Sequence, residues 1–144
     1  MKPQDGNMTR KILCATDGTE HSKVAVVLAA ELASKFGSEL TICTVNVAHG
    51  GARGVLISHW TDAELNAILD AAKALAAGHG APDARMIDIV SREPAAGIVA
   101  YAEQNGIDHI VMGTGDKRGV SRLVLGSVAA DVAARAHCSV TVAR

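Results

Sequence analysis

Apolar residues along the chain alternate between short unbroken runs and longer periodic stretches. Arg10–Thr16 (R-K-I-L-C-A-T) is a short run closed by Asp17-Gly18, a turn signal, and predicts a first strand. From Thr19 or Glu20 to Phe36, apolar residues recur at Val24, Val27, Leu28, Leu32 and Phe36, the spacing of one helix face, and Gly37 is placed to end the helix. Glu39–Val47 is rich in β-branched residues and predicts a second strand, whereas Ala48–Trp60, with Gly50, Gly51 and Gly54, reads as a flexible connection. Thr61-Asp62-Ala63-Glu64 is a capping box opening a second helix that runs to Ala77 and ends at Gly78 and Gly80. Met86–Val90 forms the third strand. Pro94 suits the first turn of a third helix, with Ser91 and Glu93 as candidate caps and Asn105-Gly106 as its end. Asp108–Met112 is the fourth strand, about Ser127–Ala136 the fourth helix and Ser139–Ala143 the fifth strand. Met1–Thr9, polar and carrying Pro3 and Gly6, reads as a flexible tail ahead of a single domain.

Five strands alternating with four helices of crossover length predict an α/β fold, a five-stranded parallel sheet with helices on both faces. In such Rossmann-like sheets ligands settle at the carboxyl ends of the strands, where the strand order reverses.

Composition sharpens this picture. The chain has 144 residues, enough for one well-buried core, and is 49% hydrophobic but only 2% aromatic, so that core is built from Ala, Val, Leu and Ile. A formal net charge of −1 argues against general electrostatic binding to nucleic acid or membranes. With no secretory leader and no apolar run near ~18 residues, a cytoplasmic protein is expected. Cys14, Cys43 and Cys138 make an odd count without C-x-x-C spacing and read as small buried hydrophobes. The six histidines show no paired-ligand spacing, so no metal site is expected.

The chemistry concentrates between Ile110 and Val128. A strand ending at Met112 runs into a loop with Gly113, Gly115 and Gly119 interleaved with Lys117, Arg118 and Arg122, and the loop closes at Gly126-Ser127 where a helix begins. Strand, glycine-rich loop and serine-capped helix N-terminus together bind phosphate: glycines let N–H groups approach an anion, and the helix start adds unpaired donors and its positive dipole end. Neither the P-loop string nor the spaced G-x-G-x-x-G fingerprint is present. No nucleophile–base pair stands out either, so the reading is a nucleotide-binding module, with at most slow ATP hydrolysis. Asp17, directly after the first strand, is a candidate acceptor for ribose hydroxyls, or simply a turn former.

The stretch Gly119–Ala129 (G-V-S-R-L-V-L-G-S-V-A), with A-T-D-G-T at the first strand, resembles the universal stress protein family, whose nucleotide loop runs G-x2-G-x9-G-[S/T]. Gly113, Gly126 and Ser127 keep that frame, while the second glycine position holds Asp116. The resemblance implies the strand order 3-2-1-4-5 and a stress-response protein binding ATP or another adenine nucleotide, with Mg²⁺ as a possible companion. It places the nucleoside near Ala15, Thr16 and Asp17, the adenine near the backbone of Val45, and the phosphates among Met112, Gly113, Thr114, Gly115, Asp116, Arg122, Gly126, Ser127 and Val128. It also implies a homodimer formed through the fifth strand, with Val140 and Val142 at the contact. Some members of the family bind no nucleotide, so a nucleotide-free dimer working through protein partners is the alternative.

Overall fold

A computed structural model describes residues 8–50, 56–58, 60–114 and 126–144. Its elements in chain order are β1 (Lys11–Ala15), α1 (Glu20–Phe36), β2 (Glu39–Gly50), β3 (Leu56–Ser58), α2 (Asp62–Gly78), β4 (Arg85–Ser91), α3 (Pro94–Gln104), β5 (His109–Gly113), α4 (Ser127–Arg135) and β6 (Ser139–Ala143). Five of the strands are parallel and run β4-β2-β1-β5-β6, which is the expected order 3-2-1-4-5. The sixth, β3, was not foreseen. It pairs antiparallel with the last residues of β2, Ala48 opposite Ser58 and Gly50 opposite Leu56, so the stretch read as a flexible connection carries a short hairpin.

Helix ends follow the local chemistry. Thr19 caps α1 by accepting from the Ser22 amide, and Gly37 closes it at φ 67°, a left-handed conformation that suits glycine. Thr61 and Glu64 form the full reciprocal capping box of α2. Pro94 occupies the first turn of α3, but Glu93 at the cap position makes no side-chain capping bond; the Ser91 hydroxyl instead accepts from the Glu93 amide.

Two apolar layers flank the sheet. One gathers Ile12, Cys14, Ile42 and Val111 with α1 and α2; the other gathers Leu13, Cys43, Ile110 and Met112 with α3 and α4. The periodicity of large residues misplaced the buried face of α1. Val24 and Phe36 are exposed, and the helix turns Ala25, Val26, Ala29, Ala30 and Ala33 onto the sheet. Alanine leaves little between helix and strands, so α1 packs closely, with Leu28 and Leu32 filling its flank. Burial pushes the Cys14 thiol far up, and that of Cys43 to about 12, as befits thiols that serve as core volume. Thr9 is tied down by its hydroxyl to His109 and by its carbonyl to the Ser38 hydroxyl, while residues 1–7 of the expected tail lie outside the described residues. No helix among the described residues is long and apolar enough to cross a membrane.

Candidate functional site

A cleft of about 420 Å³ opens at the carboxyl ends of β2, β1 and β5. This is the point where the chain leaves β1 toward β2 on one side and β5 toward β6 on the other, the reversal at which doubly wound sheets hold ligands. α1, α3 and α4 follow parallel strands and α2 follows the short antiparallel β3, and residues at or just before the N-termini of all four helices reach the cleft: Ser22 in α1, Trp60 ahead of α2, Pro94 in α3 and Ser127 in α4. Positive dipole ends therefore converge on one cavity.

The residues singled out from sequence come together here. Ala15, Thr16 and Asp17 line the cleft from β1, Val45 from β2, and Met112, Gly113 and Thr114 from β5. Gly126, Ser127 and Val128 line it from the start of α4. Gly115, Asp116 and Arg122 lie outside the described residues, as do Lys117, Arg118 and Gly119.

After β1 the chain is held by a dense set of short-range hydrogen bonds. Oδ1 of Asp17 accepts from the Thr19 amide (3.0 Å) and from the Thr19 hydroxyl (2.6 Å). The Thr16 and Ser22 hydroxyls meet at 2.8 Å, and Ser22 donates back to the Thr19 carbonyl. Partial burial works to raise the Asp17 pKa, but the bonds from Thr19, from Ser22 and from its own amide outweigh it and hold the carboxyl below its ordinary value. Asp17 is thus both the turn former and an ionised group at the cleft.

The start of α4 differs from expectation. Gly126, not Ser127, is the N-cap, with no side-chain capping bond, and its carbonyl accepts from Ala130. Ser127 is the first helical residue and is exposed. Its hydroxyl is not spent on capping, and by helix geometry the amides of Ser127, Val128 and Ala129 have no intrahelical acceptor. Gly113 is a glycine for a reason of packing: a Cβ there would meet the His21 carbonyl oxygen at 2.6 Å, where α1 crosses the end of β5.

Sequence reasoning missed several lining residues, among them Thr44, Val47, Trp60 and Ile98. Thr44 is fully buried, and its hydroxyl is the one buried side-chain polar atom among the described residues with no hydrogen-bond partner. Trp60 is fixed through its backbone by buried Asn46, which accepts from the Trp60 amide (2.9 Å) and donates to its carbonyl (3.2 Å). The one signal in the sequence was that Trp60, the only tryptophan, directly precedes the capping box.

Residues 8–144 match the sequence model described as the Universal stress protein family. A universal stress protein of Methanocaldococcus jannaschii is 36% identical over 147 residues, covering 96% of this chain and 84% of the relative. One from Bacillus subtilis is 30% identical over 150 residues, covering 95% of this chain and all of the relative. Among solved structures, a universal stress protein in complex with cAMP superposes with a TM-score of 0.74 at 26% identity, covering 94% of this chain and 97% of that one.

Proposed function

The chain belongs to the universal stress protein family, and on that premise we propose that its cleft binds an adenine nucleotide, ATP among them, in a regulatory role. The observation that carries the reading is the order of chemistry across the sheet. On the β2 side the lining is mostly apolar, with Val45, Val47 and Trp60 beside Thr44; β1 contributes the Asp17 carboxylate; the β5 side contributes Gly113, Thr114 and the N-terminus of α4. Base, ribose and phosphate need those three environments in that sequence. Neighbouring strands stand ~4.8 Å apart, so two spacings give roughly 10 Å, the reach from a base to its first phosphates. The relative of known structure that holds cAMP supports an adenine ligand.

Binding rather than turnover is the reading. Asp17 is the one carboxylate among the described lining residues, and its Oδ1 is engaged by Thr19. Mg²⁺, which is held through one or two carboxylates plus substrate phosphates, would enter with a triphosphate. Calorimetry with ATP, AMP and cAMP, each with and without Mg²⁺, tests the proposal, alongside mass spectrometry of small molecules released on denaturation. Saturable binding of at least one adenine nucleotide is expected. No heat at millimolar ligand and no released nucleotide would overturn it and leave the reading of a protein that acts through partner proteins.

A further inference from the structure

Two residues on the base side of the cleft bring more than aliphatic surface: Thr44, with its unpartnered buried hydroxyl, and Trp60. They belong together. Thr44 and Asn46 are two apart on β2, so their side chains leave the same face of the strand. Asn46 spends its amide on both backbone groups of Trp60, and the residue after Trp60 is the Thr61 cap that locks the first turn of α2. Trp60 is therefore braced from both sides before any ligand arrives, which lowers the cost of ordering it on binding. In a protein with one tryptophan, one tyrosine and one phenylalanine, the tryptophan is the aromatic residue that lines the cleft, and an indole is a π-surface of the kind on which a flat ring stacks.

We propose that Trp60 and Thr44 form a base-reading subsite, in which the indole stacks on a purine ring and the Thr44 hydroxyl pairs with a polar group on its edge. The subsite rests on the adenine-nucleotide reading and adds to it the groups that distinguish a base from a bare phosphate chain. Stacking is tolerant of base identity, whereas a hydroxyl sealed away from water favours a ring offering a hydrogen-bond partner at that place.

The test uses the full chain, with ATP and inorganic tripolyphosphate as probes, read by calorimetry and by the emission of Trp60, which no other tryptophan obscures. ATP should change the emission along the calorimetric isotherm, and tripolyphosphate should not. Trp60→Leu should weaken ATP by roughly 5- to 150-fold, Trp60→Phe should recover most of that loss, and both should bind tripolyphosphate like the wild type. Thr44→Val should weaken ATP by roughly fivefold, again sparing tripolyphosphate, without lowering the melting temperature of the unliganded protein. Wild-type ATP affinity in Trp60→Leu and Thr44→Val, with unchanged emission at saturation, overturns the subsite and leaves nucleotide binding standing. Equal losses for ATP and tripolyphosphate overturn it too, since they mark a structural role. Absence of binding of ATP, AMP and cAMP alike to the wild type overturns both readings.

Discussion

Gly113→Ala sets two effects of opposite sign against each other at the rim of the cleft. Gly113 is not among the glycines with positive φ, so its backbone can accept alanine. Fewer unfolded conformations would then favour the alanine protein by about 0.4–1 kcal/mol. Opposing this, the new Cβ would lie 2.6 Å from the His21 carbonyl oxygen, 3.2 Å from its carbonyl carbon and 3.3 Å from the Ser22 Cα. All three are backbone atoms, so no side chain can swing aside. Nor can α1 drift off freely, because Ala25, Ala29 and Ala33 lie buried on the sheet and Ser22 is bonded to Thr16 and Thr19. Overpacking of this kind costs about 1–3 kcal/mol, and a 2.6 Å approach to backbone belongs in the upper half of that range, about 2–3 kcal/mol, so the clash wins with a net loss of roughly 1–2.6 kcal/mol. At roughly 2–4 °C per kcal/mol for a chain near this length, the melting temperature should fall by roughly 2–10 °C. Gly78→Ala is the matched control. Gly78 ends α2 and nothing lies within 4 Å of its would-be Cβ, so the same substitution should leave the melting point unchanged or raise it. Thermal melts followed by circular dichroism, without nucleotide, decide the matter. Gly113→Ala melting at or above wild type would show that α1 yields at no cost and that the packing argument fails. If the drop is seen, glycine at this position is explained by helix packing alone and is no sign, by itself, of phosphate approach.

Other substitutions probe neighbouring parts of the reading. Ser127→Ala should leave stability within about 0.5 kcal/mol, because Ser127 caps nothing, while weakening ATP by about 1–2 kcal/mol in calorimetry; a fall in melting point with unchanged affinity would reverse that assignment. The Asp17 carboxyl titrates below its unfolded value, so its contribution is complete above about pH 4–5 and disappears as pH falls through the lower folded value. Urea melts of wild type and Asp17→Asn should accordingly differ at pH 7 and converge in acid, and a gap independent of pH would exclude the charge as its source. Strand β6 pairs only with β5 among the described strands and exposes an edge, and we propose that a second copy joins there; light scattering should give a dimer for wild type and a monomer for Val140→Lys. Asp116→Gly restores the family's second loop glycine and should tighten ATP about ten- to hundredfold, most clearly without Mg²⁺, in parallel titrations.

What could be read from the sequence was whatever is decided by residues close together in it. Gly37 and the Thr61–Glu64 box fix helix ends through bonds spanning at most four residues, Pro94 through its own fixed φ, and the elements fall where those signals stand. The strand order followed from the family resemblance, not from periodicity. Three features lay beyond local reasoning for physical reasons. Large apolar residues marked a flank of α1, because alanine carries too little surface to stand out in a pattern and yet packs closest. Serine looked like the cap of α4 because capping depends on where the first helical turn closes, and that turn closes on the Gly126 carbonyl. Trp60 could not be joined to the site at all, since what brings it there is a clamp from Asn46, fourteen residues earlier across the β2–β3 hairpin. Such long-range bonds leave no periodicity behind. On the proposed reading the two sides of the cleft differ in kind: the phosphate side would use backbone donors at a helix start, which many sequences can supply, whereas the base side would use two particular side chains, Thr44 and Trp60. Selectivity among nucleotides should therefore vary with positions 44 and 60 more than with the glycine frame by which the family is recognised.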